Sequence, residues 1–446
     1  MKELAKNLIG LLRNKYRLEG EVFLSESKGI NIEVSDSRCE KFNLFGDIGI
    51  GIRLLKDKKW GLAYSTQAGL DADEFIKLAL RNAEFNVRDE FNCLPQGNSP
   101  AALAMDKLAV FDPVIETMEG SEKMDRVFSL AADAMTPDKR ITKVLAASYT
   151  DSLFEQTIMN TNGVDVSWRE TFFSTLVELK AEQDTKIQVG GESQTKRYFR
   201  ELDFKDLISQ AVFRTVSMLG ARSIPTRKIP VFLDPYVGSE FLAVLASGIC
   251  ADNIQRKKSP FSGKMDKMIA PGFISIVDDG TKPGGLGTSP FDDEGVPTRK
   301  TMVVDKGVLK AFLYDSYSAC RDKVASTGNA SRGSFMGAPG VGVNNFFLEP
   351  GTISREALLG SVKEGLYVME VMGMHTVDPI SGDFSVGVSG LWVENGRMSY
   401  PVQGVAMAGN VLDLLQNIEQ IGNDLRFYGN VGCPTLKIKE VMISGE

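Results

Sequence analysis

Histidine is the scarcest chemically useful residue in this chain, which has one, His375, among 446 residues. Peptidases with an H-E-x-x-H motif need two imidazoles on one helix face to bind the same zinc ion, so that ligand set is excluded within this chain. A Ser–His–Asp or Cys–His catalytic unit would have to use His375. Its surroundings, MGMHTVDPISGDF, are typical of a turn, which favours a histidine making a single hydrogen bond. We therefore predict no catalytic residue and no metal ligand in this chain.

Cysteine is also sparse, and the spacing of the cysteines argues against metal binding. The five cysteines are spread along the chain without a C-x-x-C pair, which disfavours a disulfide framework and a thiolate zinc site. Cys433, directly before Pro434, is expected to be a small buried residue rather than a reactive thiolate.

Long apolar runs and an excess of positive charge are absent as well. No segment reaches the roughly 18 uninterrupted apolar residues of a membrane span, and residues 2–16 have the pattern of an amphipathic helix rather than a signal peptide. The net charge of −7 disfavours direct nucleic-acid binding, which needs a basic surface. We expect a cytoplasmic protein that contacts neither membrane nor nucleic acid.

The chain is longer than one hydrophobic core normally supports, so two domains are expected. Residues 1–222 alternate helices with β-rich blocks, which predicts an N-terminal α+β domain with a mostly antiparallel sheet. Residues 148–180 loosely echo residues 25–55, which suggests an internal similarity. Residues 95–113 have the composition of a connector.

The composition changes after the prolines at 225 and 230. Glycine becomes dense and short β-like runs dominate, so residues 223–446 are predicted to form a β-rich C-terminal domain. Its clearest helices are predicted at about residues 236–252 and 410–422. The overall class is α+β.

The segment 276–300, IVDDGTKPGGLGTSPFDDEGVPTRK, is the most informative part of the chain. Glycine at this density is unsuited to a helix or strand interior, so a shaped loop is expected, and such loops are usually functional. In one interpretation, the carboxylates of this segment bind a calcium or magnesium ion. D-D-G and D-E-G are also ordinary turn signals, and we favour a substrate-facing loop whose carboxylates hold its own backbone.

Several long motifs resemble the TldD/PmbA family, part of which is named for modulation of DNA gyrase, and specifically its PmbA (TldE) branch. They are VDDGTKPGGLGTSPFDDEGVPT (277–298), GVLKAFLYDSYSA (307–319), STGNASR (326–332), SGDFSVGVSGLWVENGRMSYPVQGVAMAGN (381–410) and PTLKI (434–438). The resemblance is strong over the second half of the chain and weaker in the first.

The resemblance implies a two-subunit zinc metallopeptidase that acts on unfolded or flexible peptides, in proteolysis, peptide maturation or antitoxin turnover. In that family the TldD-type subunit carries H-E-x-x-x-H on a helix, and zinc is expected in that partner. In this chain the three motif positions fall on Leu242, Ala243 and Ser247, which cannot hold zinc.

The leading hypothesis is a non-catalytic subunit that pairs with a TldD-like chain or with itself and binds peptide substrates. Alternatives are a homodimeric peptide-binding or chaperone-like module, and an autonomous hydrolase that uses His375 or an acidic site. Two glycine-bearing loops would line the peptide cleft, through Asp279, Gly280, Asp293, Glu294, Gly295, Ser326, Thr327 and Gly328.

Overall fold

The computed structural model describes residues 1–67, 69–97 and 105–445. Part of the connector predicted at 95–113 therefore lies outside the described residues. In the N-terminal half (residues 1–222), the helices and strands are α1 Lys2–Leu11, continued by a π-helical turn Leu12–Tyr16, β1 Glu19–Ser35, β2 Arg38–Lys56, β3 Lys59–Ser65, α2 Ala72–Glu84, α3 Met105–Leu108, α4 Gly120–Ala134, β4 Ile141–Asn160, β5 Asp165–Gln183, β6 Lys186–Lys196 and α5 Phe204–Val216.

The six strands of this half form one antiparallel sheet in the order β3-β2-β1-β4-β5-β6. The first three strands lie between α1 and α2, and the last three lie between α4 and α5. The sheet is therefore a structural repeat of one helix–three strands–helix unit, joined where β1 pairs with β4. This order confirms the antiparallel sheet and the internal similarity predicted from the sequence.

Two clusters of apolar side chains hold the helices on this sheet. α4 and α5 pack on one cluster, to which β1 contributes the alternating residues Ile30, Ile32 and Val34. α1 and α2 pack on the other. α2 begins at Asp71, whose carboxylate accepts hydrogen bonds from the backbone N–H groups of the helix's first turn, as a helix cap requires.

The outer half of β2 is uncovered. Residues 38–47 pair with β1 on one side, while β3 pairs only with residues 50–56. All ten residues are exposed, including Phe42, Leu44 and Phe45. The corresponding part of β5 is covered, because Val110 accepts a hydrogen bond from Thr171 and Phe291 packs on Trp168. The two halves of the repeat thus have different edges.

The C-terminal half (residues 223–445) is β-rich, as predicted. Its helices and strands are β7 Arg227–Leu233, α6 Pro235–Gly248, α7 Ala251–Gln255, β8 Ile276–Asp279, β9 Lys300–Asp305, β10 Val308–Leu309, α8 Ser316–Asp322, β11 Ala330–Ser331, β12 Gly340–Val341, β13 Phe346–Leu348, α9 Arg355–Leu359, β14 Glu364–Met372, β15 Asp383–Glu394, β16 Arg397–Asn410, α10 Val411–Gln416, β17 Ile418–Ile421, β18 Arg426–Tyr428, β19 Val431–Cys433 and β20 Leu436–Ser444.

Two six-stranded sheets dominate this half, with the orders β10-β9-β8-β13-β19-β18 and β16-β15-β14-β7-β20-β17. In the second sheet β20 also pairs with β16, so the sheet closes on itself. The pairs β7–β14 and β13–β19 are parallel. The helix predicted at 410–422 ends at Gln416, because residues 418–421 pair with β20 as β17 instead.

Helix α6 is the central element of the C-terminal half. It packs against β13, β18 and β19 on one side and against β7 and β14 on the other. Cys433 of β19 is fully buried and approaches α6 at Gly238, where an added Cβ would lie 2.6 Å from its sulfur. Burial raises the pKa of the Cys433 thiol, which confirms the prediction of a small buried residue. No described helix is both long and apolar enough to span a bilayer.

Gly238→Ala is expected to lower the free energy of unfolding by about 1–2 kcal/mol, because overpacking against Cys433 exceeds the gain in helix propensity. Gly10→Ala in α1 is the matched control, since nothing lies within 4 Å of an added Cβ there. It should be neutral or stabilising by up to about 1 kcal/mol. Urea unfolding of both variants measures the difference, and equal effects would contradict the close approach at Gly238.

Candidate functional site

A groove runs along the edge strand β6, between the two halves of the chain. Its other wall consists of the start of α6, the end of β14, strand β18 and the loop after β8. One section, of about 550 Å³, lies beside α6, and the other, of about 390 Å³, lies beside the loop residues 282–286. Glu192, Ser193 and Tyr428 border both sections, so the two are continuous. We call this the β6 groove, with an α6 section and a loop section.

Along this groove β6 has no second partner strand among the described residues, although the side chains of Gln188 and Glu192 bond to the Val189 carbonyl and the Ser193 N–H. In the described sheet β6 pairs with β5 and ends the strand order, and residues 189–196 line the groove. Eight strand residues span about 26 Å. Gly190 and Gly191 lie in the middle of this edge, where an added Cβ would meet Thr215 of α5 at the first and the Val177 carbonyl of β5 at the second.

The α6 section is lined by apolar and aromatic side chains. Leu176, Val189 and Met372 are 39%, 42% and 53% exposed, respectively. The rings of Tyr236 and Tyr428 meet edge to face with centroids 5.2 Å apart. An apolar wall beside an unpaired strand edge is suited to an extended peptide, whose main chain pairs with the edge while its side chains contact the wall.

Arg214 of α5 connects the two halves in the wall of the α6 section. Its guanidinium donates to Glu192 and to Asp234, both at 2.8 Å, and to the carbonyl of Met369 at 3.2 Å. Asp234 caps α6 and also accepts a hydrogen bond from the Tyr367 hydroxyl at 2.7 Å. Burial, followed by the charge of Asp234, raises the pKa of Tyr367, so this hydroxyl keeps its proton. The start of α6 is thereby fixed relative to β6.

Arg197, just after β6, holds the glycine-rich loop in place. This side chain is almost fully buried and donates to the carbonyls of Gly285, Leu286 and Thr288 at 3.1, 2.7 and 2.8 Å. Its remaining guanidinium nitrogen donates to Glu170 at 2.9 Å. A guanidinium has five N–H donors in a planar arrangement, which suits several carbonyls of one loop. Residues 282–286 consequently face the groove.

Asp278, the first carboxylate of the loop, has a structural role. Asp278 is fully buried and accepts hydrogen bonds from the Asn344 backbone N–H and the Asn329 side chain, both at 2.7 Å, with a third at 3.2 Å from the Asn344 side chain. Burial raises the pKa of Asp278 to about 6, although these donors oppose the rise. Asp278 therefore shapes the loop from inside.

The second acidic cluster is also buried. Asp292 accepts from the backbone N–H groups of Glu294, Val296 and Ala330 at 2.9–3.0 Å. Burial, together with the neighbouring Glu294 charge, raises the pKa of Asp292 well above its ordinary value. This pattern is that of a carboxylate folding its own backbone, as the turn interpretation of D-D-E-G predicts.

Glu294 belongs to an ionic cluster between the halves. One of its oxygens accepts from Arg53 of β2 at 2.7 Å and the other from the Ser316 backbone N–H at 2.8 Å. Arg53 also donates to Glu21 of β1 at 2.8 Å, and Glu21 contacts Arg332. With exposures of 6% and 1% for Arg53 and Glu294, this cluster is closed to a substrate.

The remaining residues predicted for the cleft in this loop also have internal roles. Asp279 accepts hydrogen bonds from the backbone and hydroxyl of Thr281. Gly280 is buried, with Thr298 in the place of a Cβ, and Gly295 has a left-handed φ of +81°. Asp293 accepts from the Arg332 backbone N–H and borders a separate polar cavity of about 180 Å³, and burial raises its pKa to about 6.

The second predicted loop folds around Tyr314. The hydroxyls of Ser326 and Thr327 both donate to its carbonyl at 3.1 Å, and Gly328 has a left-handed φ of +73°. Among the wall residues described for the groove, none of the eight predicted cleft residues occurs. Their placement gives them a supporting role, because buried carboxylates and hydroxyls require internal partners.

The three positions to which the family resemblance assigns the zinc motif do not share a face of α6. Leu242 is 3% exposed and packs in the core, whereas Ala243 and Ser247 are exposed. Among the described residues, no three His, Cys, Asp or Glu side chains are grouped so that they could hold a metal ion. His375 lies exposed in a short 3-10 turn, Met374–Thr376, and forms no ion pair with a described carboxylate. These residues do not fit a zinc ion.

Reasoning from the sequence missed the residues that build the groove. Nothing local marks Arg197 or Arg214, whose partners lie 20 to 155 positions away along the chain. The consecutive glycines at 190 and 191 are a visible signal, since glycine inside a strand often marks a close backbone approach.

Comparison with known proteins identifies the family. The model of the PmbA/TldA metallopeptidase C-terminal domain matches residues 226–445, that of the central domain residues 113–219, and that of domain 1 residues 20–83. Together these models match most of the chain, which belongs to the PmbA/TldD metallopeptidase family.

Individual relatives align with this chain over nearly its whole length. The chain is 27% identical to a metalloprotease PmbA homolog of Buchnera aphidicola, over 99% of this chain and 96% of the relative, and 28% identical to the metalloprotease PmbA of Escherichia coli O157:H7, over 96% and 92%. A metalloprotease TldD homolog of Buchnera aphidicola is 26% identical, over 90% and 87%.

Two crystal structures share the fold. A candidate modulator of a DNA gyrase from Thermotoga maritima superposes with a TM-score of 0.91 at 27% identity, covering 99% of this chain and 100% of that one. TldE from Thermococcus kodakarensis superposes with a TM-score of 0.87 at 23% identity over 100% of both chains.

Arg197→Met should lower the free energy of unfolding by about 3–5 kcal/mol, because Glu170 and three loop carbonyls lose a buried donor. Arg169→Met is the matched control: Arg169 is 36% exposed and its ion pairs lie at the surface. Its loss should be at most about 1 kcal/mol. Urea unfolding checks the ranking, and faster protease cleavage within 282–288 in Arg197→Met alone would localise the effect.

Asp278 should make stability depend on pH. Its pKa rises from an ordinary 3.8 to about 6 on folding, so folding favours the protonated form. The resulting stabilisation is present below about pH 4 and is lost as the pH rises through about 6, by about 3 kcal/mol. Unfolding of wild type and Asp278→Asn at several pH values tests this. The stability of the wild type relative to the variant should fall between pH 4 and 7, and a rise would contradict the assignment.

Proposed function

We propose that this chain is the non-catalytic subunit of a TldD/TldE-type zinc metallopeptidase and that it binds unfolded or flexible peptides in the β6 groove. The observation that carries the proposal is the groove between the edge strand β6 and the start of α6. The family resemblance places the zinc-motif positions further along α6, at Leu242, Ala243 and Ser247, and these side chains do not suit a zinc ion. Hydrolysis is therefore assigned to a TldD-like partner, which would carry the zinc.

Main-chain recognition suits a substrate class defined by flexibility rather than by sequence. An unpaired edge offers N–H and C=O groups to any extended segment, whereas a folded substrate has already used its own. Gly190 and Gly191 lie at the centre of this edge, and glycine inside a strand often marks a close approach of another backbone. Arg197 and Arg214 bind acceptors across the groove and thereby fix one wall relative to the other.

A partner subunit has a suitable surface in the N-terminal half. The uncovered edge of β2 exposes Phe42, Leu44 and Phe45 at 44%, 77% and 40%. Exposed apolar side chains on an open strand edge are typical of contacts with another chain. A protein named TldE and proteins named TldD are both among the relatives, which supports pairing between two related subunits.

A homodimeric peptide-binding or chaperone-like module is the alternative, and the complete groove within one chain favours it. Copurification from the native cell separates the two, because a TldD-like chain should accompany this protein only under the first proposal.

The purified chain should bind an unfolded peptide without cleaving it. Met372→Ser and Leu176→Ser should each weaken binding by about two- to tenfold, because each removes an apolar contact from the wall. Fluorescence anisotropy with a labelled flexible peptide measures the affinity, and mass spectrometry of the same sample detects cleavage.

Met336→Ser is the matched control, since Met336 is exposed to a similar degree, 52%, and lies outside the groove walls. Its affinity should equal that of the wild type. Chelator-sensitive cleavage by the chain alone, with one zinc bound per chain, would refute the non-catalytic assignment.

A further inference from the structure

The two sections of the β6 groove differ in charge. The loop section is lined by three acidic and three basic side chains, so its formal charges sum to zero. The acidic residues are Glu192, Glu201 and Asp206, and the basic residues are Lys196, Lys282 and Arg426. Arg426 lies 3.3 Å from Asp206, and Lys282 lies over the rings of Phe347 and Phe427.

The α6 section carries an excess of negative charge. Its described ionisable wall residues include Glu178, Glu192, Glu370 and one cation, Arg214. Arg214 is already bound to Glu192 and Asp234. Its charge is therefore unavailable to the other two glutamates.

Glu178 and Glu370 are open to a ligand. Glu178 is exposed on β5 and pairs across the sheet with Gly191, which has no side chain to shield it. Glu370, at the end of β14, is half-buried and accepts a hydrogen bond from the Ser389 hydroxyl at 3.1 Å. Neither carboxylate forms an ion pair with any described lysine or arginine.

Aromatic rings complete this section. Tyr236 and Tyr428 lie in its wall, and aromatic faces attract ammonium and guanidinium groups. Burial raises the pKa of Tyr236, the charges of Glu240, Glu370 and Glu192 raise it further, and the charge of Arg214 opposes the rise. Leu176, Val189 and Met372 offer contacts for the methylene groups of a long side chain.

We infer that the α6 section of the groove binds a cationic group of the peptide, either a lysine or arginine side chain or the α-ammonium. The inference rests on the proposed peptide-binding function and adds a preference to it. Because the loop section is neutral, the cation occupies one end of the groove and sets the register of the peptide along β6.

The test compares flexible peptides of about eight residues, enough to follow the groove edge. The first has blocked ends and a lysine at one position, and the second replaces that lysine by norleucine. The third lacks lysine but has a free N-terminus. Fluorescence anisotropy measures each affinity at low salt and at about 0.5 M salt, where exposed charge contacts are screened.

Wild type should bind the lysine peptide about fivefold more tightly than the norleucine peptide at low salt. The advantage should disappear at high salt and in the double variant Glu178→Gln/Glu370→Gln, while binding of the norleucine peptide stays unchanged. Glu40→Gln, an exposed acid on the distant β2 edge, is the control and should retain the full preference.

The outcomes separate this inference from the proposed function. Equal binding of all three peptides would overturn the cation preference and leave peptide binding intact, whereas failure of all three to bind would overturn both. An advantage of the third peptide alone supports the inference with the α-ammonium as the cation. A lysine advantage that survives both the double variant and high salt would overturn it.

Discussion

Buried guanidinium groups that cross from one half of the chain to the other are the contacts on which the rest of the structure depends. Arg53, Arg197 and Arg214 all belong to the N-terminal half, and each binds acceptors in the C-terminal half. A guanidinium remains charged at any physiological pH and donates in several fixed directions, so each arginine fixes an orientation as well as a distance. The groove between the halves therefore has rigid walls, and a rigid site lowers the entropic cost of binding a flexible ligand.

The glycine-rich loop shows how such a contact is used. Its carboxylates face inward and hold the backbone, while Arg197 donates to three of its carbonyls. What reaches the groove is the middle of the loop, residues 282–286. The acidic residues that stand out in the sequence are thus the support of the site, and its surface consists of less conspicuous residues.

The sequence predicted the class, the antiparallel sheet and the repeat because these depend on local patterns. Alternation at Ile30, Ile32 and Val34 and the cap at Asp71 are each readable within a few residues. The partners of Arg197 and Arg214 are set by tertiary packing, which no local pattern encodes. Residues 418–421 show the same limit, because pairing with β20 overrides a helical pattern that continues through α10.

The uncovered edge of β2 affects how two free copies of the chain interact. Two such strands could pair through Phe42, Leu44 and Phe45, and the charged residues Arg38, Glu40, Lys41 and Asp47 flank that run on both sides. Charges that flank an exposed apolar strand act against fibre growth. Edge-to-edge pairing of free copies of the chain is thereby disfavoured by four charged side chains that lie outside its groove.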